Sequence, residues 1–224
     1  MQEIPYKRGF IIISSLYLLL LLLDKEQWTW YGKPFLLPFL LLMTLKAPAF
    51  KTKKWLLLAL LFSWIGDIVL MFAHKNELFF ILGLVSFLIA HLLFIVLFTK
   101  QEATVYHTQK NYYWLFYGII LLYLFGLLSI LLPKLGDLKI PVGIYAMTIS
   151  LMLIEALKGY FNWNNPRKTQ VVIGAALFVL SDSILAINKF HTPLPLATLW
   201  IMSTYLMAQY FICTGIIQKP EKRN

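Results

Sequence analysis

Charge is what this chain of 224 residues has least of: 13% of it is Asp, Glu, Lys or Arg, against about a quarter in soluble domains. With 60% hydrophobic residues and a mean hydropathy of +0.73, it is excluded as an ordinary soluble domain and belongs in lipid. There is one cysteine, Cys213, inside an apolar run, which excludes an intrachain disulfide and a cysteine metal cluster. Of the four histidines, His74, His107 and His191 fall in loops or at helix ends and only His91 lies within an apolar segment. A zinc site takes three or four ligands at close spacing, so no metal or other cofactor is expected. A Gly-rich phosphate loop, a Ser nucleophile elbow and a catalytic Cys-His pattern are also missing. No connection exceeds about a dozen residues, which leaves no linker or soluble domain and predicts one integral membrane domain over 1–224. The excess of 20 Lys and Arg over 10 Asp and Glu then labels orientation; a nucleic-acid partner is not expected. Oligomeric state leaves no mark in the sequence.

What is present is a series of long apolar runs bounded by charge, Pro or Asn. They predict an all-α, polytopic protein with eight spans near 9–23, 34–45, 55–73, 78–98, 112–132, 141–158, 170–190 and 194–217. The first has Lys7 and Arg8 before a Leu-rich core, as a signal peptide would, but Asp24-Lys25-Glu26-Gln27 follows in place of a small-residue cleavage site, so it reads as a retained helix. The second is crowded by Pro34, Pro38 and Pro48 and reads as short, kinked or re-entrant. Eight spans with the N-terminus inside put 14 basic residues on inner segments: Lys7, Arg8, Lys46, Lys51, Lys53, Lys54, Lys100, Lys110, Lys158, Arg167, Lys168, Lys219, Lys222 and Arg223. Six fall outside: Lys25, Lys33, Lys75, Lys134, Lys139 and Lys189. That split follows the positive-inside bias and predicts a multi-pass protein of a bacterial inner membrane with both termini cytoplasmic. Trp28, Trp30, Tyr31, Trp55, Tyr112, Tyr113 and Trp114 fall near the span ends, where an aromatic belt lies.

Carboxylates are scarce, and two of them, Asp67 and Asp182, stand inside apolar runs. A charged group at mid-membrane costs about 2.5–3.5 kcal/mol on insertion scales, so such residues usually line an interior cavity or pathway. Glu155 stands one turn before Lys158 near the inner end and reads as an interfacial pair. The two aspartates occupy matching motifs: Gly66-Asp67-Ile68-Val69-Leu70 and Ser181-Asp182-Ser183-Ile184-Leu185. Each lies twelve residues past its predicted helix start, Trp55 or Gln170, hence about 18 Å deep. The following helices echo each other too, with Ala90-His91 and Ala208-Gln209. The pattern predicts two four-helix halves of the same orientation, related by an axis along the membrane normal. A structural bridge between helices is the plainer role for each aspartate, and insertion cost together with symmetry favours function. For His91 a bond to a neighbouring carbonyl and a place in a site are equally consistent, while Asn188, Lys189 and Lys33-Pro34 are by default caps and snorkelling charges.

Two carboxylates at one depth suit acid-catalysed hydrolysis, with one protonated in an apolar pocket and the other ionised to activate water. A substrate that reaches that depth laterally is a lipid. Gly66-Asp67, the stretch from Ser181 to Phe190, Lys33-Pro34, Ala90-His91 and the segment from Tyr205 to Gln209 together resemble the YhhN family, the lysoplasmalogenases, over nearly the whole chain. The resemblance implies hydrolysis of the vinyl ether of a lysoplasmalogen, a lysophospholipid, to a fatty aldehyde and glycerophosphoethanolamine or glycerophosphocholine. It implies Asp67 and Asp182 as the catalytic pair. Lys33, Lys189, His91, Asn188, Tyr205 and Gln209 are then the residues to hold the phosphate and glycerol hydroxyl, with Tyr145 joining them. Lys33 and Asn188-Lys189 lie on the outer side of the derived topology, which turns the headgroup outward. A proton-coupled carrier of lipids or amphipaths uses parallel repeats and midplane carboxylates in the same way, and a hydrolase of another lysolipid would carry the same motifs.

Overall fold

A computed structural model describes residues 4–101 and 110–217. Lys219, Lys222, Arg223 and His107 lie outside the described residues, as do the side chains of Lys110 and Tyr112. Every regular element described is helical, as a backbone that must satisfy its own hydrogen bonds in lipid requires. The order is α1 (Ile4–Leu22), α2 (Glu26–Gly32), a 3-10 turn (Lys33–Phe35), α3 (Leu36–Lys46), α4 (Lys53–Leu70), α5 (Glu77–Thr99) and α6 (Lys110–Leu131). Two 3-10 turns, Leu132–Lys134 and Gly136–Leu138, lead to α7 (Lys139–Asn162). The chain continues through α8 (Lys168–Ala186), a π turn (Ile187–His191) and α9 (Ala197–Ile216).

Among the described residues, six segments are long and apolar enough to cross a membrane: Ile4–Leu22, Glu77–Thr99, Tyr113–Lys134, Gly136–Asn162, Lys168–His191 and Ala197–Ile216. The protein is a multi-pass membrane protein. The other two predicted segments differ for physical reasons. Helix α4 has 18 residues but carries Lys53, Lys54 and Asp67 among them. The proline-crowded segment is split into α2, a 3-10 turn with Pro34 in its first turn, and an α3 of 11 residues, about 16 Å long and well short of the roughly 30 Å hydrocarbon core.

Local chemistry sets the helix ends. Asp24, between α1 and α2, takes a left-handed conformation with φ 54°, which Asp tolerates better than most residues. The Asn76 side chain accepts the Leu78 amide at 2.8 Å and caps α5. Lys53 Nζ donates to the carbonyls of Leu45 and Ala47 at 3.0 and 2.6 Å, satisfying the end of α3 before Pro48.

The chain divides into two compact units, Met1–Lys100 with Cys213–Asn224, and Gln101–Ile212. In the first, α1 packs on α2 and α3, α3 on α4, and α4 on α5, around a core that includes Leu36, Leu40, Leu56, Leu60 and Phe94. Cys213 Sγ lies 3.3 Å from Thr44 Oγ1 inside this unit. In the second, α7 packs on both α6 and α8, and a cluster of Leu131, Leu135 and Val142 seats Phe190 and Ile187 of the π turn.

Candidate functional site

In the first unit Asp67 stands 14 residues after Lys53, the first residue of α4, and is only 2% exposed. A Cβ on Gly66 would lie 2.7 Å from the Phe87 ring, and one on Gly83 would lie 2.5 Å from Leu70. The missing side chains let the antiparallel α4 and α5 meet closely around Asp67. The same register puts His91, fully buried on α5, about two turns, roughly 10 Å, toward the Lys53 end of α4.

Ser63, one turn before Asp67 on the same face, is also fully buried, and its hydroxyl has no hydrogen-bond partner among the described residues. Trp64 Nε1 donates to the Pro34 carbonyl at 2.7 Å. That bond fastens the half-buried Lys33-Pro34 turn to α4 within a turn of Asp67. Sequence reasoning missed both residues. Ser63 carried a signal, its i−4 spacing from an intramembrane acid; Trp64 carried none, because its partner is a backbone carbonyl thirty positions away.

In the second unit Asp182 stands 14 residues after Lys168, the first residue of α8, and is half-buried. Three consecutive residues there are tied to three different helices. Ser181 Oγ donates to the Ile201 carbonyl of α9 at 3.0 Å. The Tyr145 hydroxyl of α7 donates to Asp182 Oδ2 at 2.5 Å. The Tyr123 hydroxyl of α6 donates to Ser183 Oγ at 2.5 Å, while Ser183 donates to Val179 O in its own helix. Successive helical residues point about 100° apart, so a Ser-Asp-Ser run reaches three neighbours at one level. Tyr145 was among the expected residues; Tyr123 was not, since a tyrosine in an apolar helix reads as belt or packing.

Tyr205 is buried with its ring edge-on to Phe178 at 5.5 Å. Gln209, one turn further along α9, is fully buried, and neither amide atom has a hydrogen-bond partner among the described residues. Asn188 and Lys189 lie in the π turn that ends α8, a feature that recurs at functional sites. Asn188 Oδ1 accepts the Leu194 amide at 2.9 Å, and Lys189 is exposed. Nearby, Lys134 Nζ donates to the His191 carbonyl at 2.9 Å. Toward the opposite end of α7, Lys158 Nζ pairs with Glu155 at 2.5 Å, the interfacial pair read from the sequence.

The first unit thus gathers Lys33, Ser63, Asp67 and His91 around α4. The second joins Tyr145 directly to Asp182 and sets Tyr205 and Gln209 on one face of α9. Asp67 belongs to α4, packed on α5, which carries the fully buried His91; Asp182 belongs to α8, bonded through Ser181 to α9, which carries the fully buried Gln209.

The YhhN family model matches residues 28–216. Lysoplasmalogenase TMEM86A of Homo sapiens is 30% identical over 170 residues, covering 72% of this chain and 65% of its own length. Lysoplasmalogenase TMEM86B of Sus scrofa is 32% identical over 73% of this chain and 63% of its own length. The chain therefore spans slightly less than two thirds of either of these relatives. Lysoplasmalogenase TMEM86B of Rattus norvegicus is 30% identical over 94% of this chain and 83% of its own length. No solved structure matches the chain. The family match runs from α2 to the end of α9 and takes in both Asp67 and Asp182: the chain belongs to the YhhN family.

Proposed function

We propose that the protein is an intramembrane hydrolase that cleaves the vinyl ether of lysoplasmalogens, releasing a fatty aldehyde and glycerophosphoethanolamine or glycerophosphocholine. The observation that carries this reading is its likeness to proteins named lysoplasmalogenases, about 30% identical over most of the chain. The two aspartates inside apolar helices supply the groups the chemistry needs.

A vinyl ether is cleaved by protonating its outer alkene carbon, which leaves an oxocarbenium ion. Water adds to the carbon bearing the oxygen and gives up a proton to a carboxylate, forming a hemiacetal. The carbon–oxygen bond to glycerol then breaks, the hemiacetal hydroxyl proton passes to the glycerol oxygen, and the aldehyde departs. In this reading Asp67 and Asp182 share the work: one gives the proton, while the other stabilises the cation and takes the proton from water. Glycoside hydrolysis uses two carboxylates on a similar cation. Lys33 and Lys189 suit the phosphate as point charges, and His91, Asn188, Tyr205 and Gln209 suit the glycerol hydroxyl and phosphate oxygens. The protein acts as one membrane domain of a bacterial inner membrane with both termini cytoplasmic, as its basic loops support.

Comparing lysolipids of membranes with and without the protein tests the substrate. Loss of alkenyl lysophospholipid with a matching rise in glycerophospho-headgroup is the expected result. Consumption of an ester lysolipid, with alkenyl species untouched, would replace the substrate.

A further inference from the structure

We infer that Tyr145 is a positioning residue for Asp182: its hydroxyl fixes the plane of that carboxylate and so the direction in which it exchanges a proton. This rests on the reading of Asp182 as a reacting group. The Tyr145 hydroxyl donates to Asp182 Oδ2 at 2.5 Å. The backbone beneath Asp182 is set by the regular α8 helix, which Ser181 fastens to the Ile201 carbonyl of α9. What the backbone does not set is the two side-chain torsions of Asp182. A bond to one carboxylate oxygen from a third helix, α7, restrains both. Tyr145 therefore acts through Asp182. Small misplacements of a reacting group cost up to about a hundredfold in rate.

The neighbouring pair supplies a built-in control. Tyr123 makes the same kind of bond at the same distance one residue along, but to Ser183, which has no part in the chemistry. Removing either hydroxyl deletes one hydrogen bond from the same turn of α8. A structural role alone gives Tyr145→Phe and Tyr123→Phe the same effect on rate, whereas positioning separates them.

The test is steady-state aldehyde release from lysoplasmalogen by the full chain in detergent, together with infrared difference spectra in which the Asp182 carboxyl band is assigned by its loss in Asp182→Asn. Tyr145→Phe is expected to lower kcat by about 10- to 100-fold with KM within about twofold, and to move the Asp182 band. Tyr123→Phe is expected to keep kcat within about twofold and to leave the band in place. Equal rates for the two variants, a raised KM at unchanged kcat in Tyr145→Phe, or an unmoved band would each overturn the inference. A wild-type protein that releases no aldehyde, yet whose Asp182 band moves in Tyr145→Phe, sinks the lysoplasmalogenase reading and leaves the positioning bond standing. Should Tyr145→Phe fail to fold, uniform 3-fluorotyrosine labelling alters the phenol with every side chain kept. The Asp182 band must then move, and a fixed band overturns the inference.

Discussion

The Phe87 ring occupies the space that a Cβ on Gly66 would need, with two ring carbons 2.7 and 2.8 Å from that position. The residue before Asp67 is therefore held to glycine by a buried aromatic on α5, and the depth of Asp67 between α4 and α5 depends on that contact. Gly66→Ala is expected to destabilise the protein by about 1–3 kcal/mol, as overpacking of a buried contact does. Thermal or denaturant unfolding in detergent checks this. Phe87→Leu added to Gly66→Ala should recover part of the loss, whereas two additive losses would show that the ring is not the obstacle.

Gln209 separates stability from function. Its fully buried amide has no hydrogen-bond partner among the described residues, and an unsatisfied buried polar group costs about 1–3 kcal/mol. Gln209→Leu, close in volume, is expected to unfold at the same or a higher temperature than wild type while raising KM for the lysolipid. Lower stability with unchanged KM would make Gln209 a structural residue.

Trp64 Nε1 and the Pro34 carbonyl tie the Lys33-Pro34 turn to α4. Trp64→Phe keeps the aromatic bulk and removes the donor, so it is expected to cost about 1 kcal/mol and to speed hydrogen exchange in the 33–36 segment above that in α4. Equal protection in both proteins would show that the turn is held by packing alone.

Cys213 is fully buried against Thr44, so a water-soluble maleimide is expected to leave it unmodified in the folded protein and to label it upon unfolding. The labelling rate then reports opening of the first unit. Fast labelling under native conditions would contradict that burial.

Much of the architecture was legible because lipid is an exacting solvent. Helix and apolar run coincide in α5 and α9, and the first predicted helix is α1. Asp67 and Asp182 stood out because an acid inside an apolar run is costly, and their equal offset, read as twelve residues, appears as 14 from helix starts two residues earlier. The proline-crowded segment was expected to be irregular and is. The contacts that build the site were not legible. Tyr123 and Trp64 are aromatic residues in apolar helices, a pattern that packing alone explains. Their roles depend on which helix lies opposite, which periodicity along one helix does not encode. Asn188, read from the sequence as a cap by default, accepts the Leu194 amide with its side-chain oxygen.

The central claim is that Asp67 and Asp182 serve one hydrolytic reaction. Aldehyde release from lysoplasmalogen by purified wild type, Asp67→Asn, Asp182→Asn and the double variant tests it most directly. Residues that act as a unit are strongly non-additive. Each single variant is expected to lose at least about a hundredfold in kcat, and the double variant to be no slower than the slower single. Full activity in either single variant, or losses that multiply in the double, would contradict it.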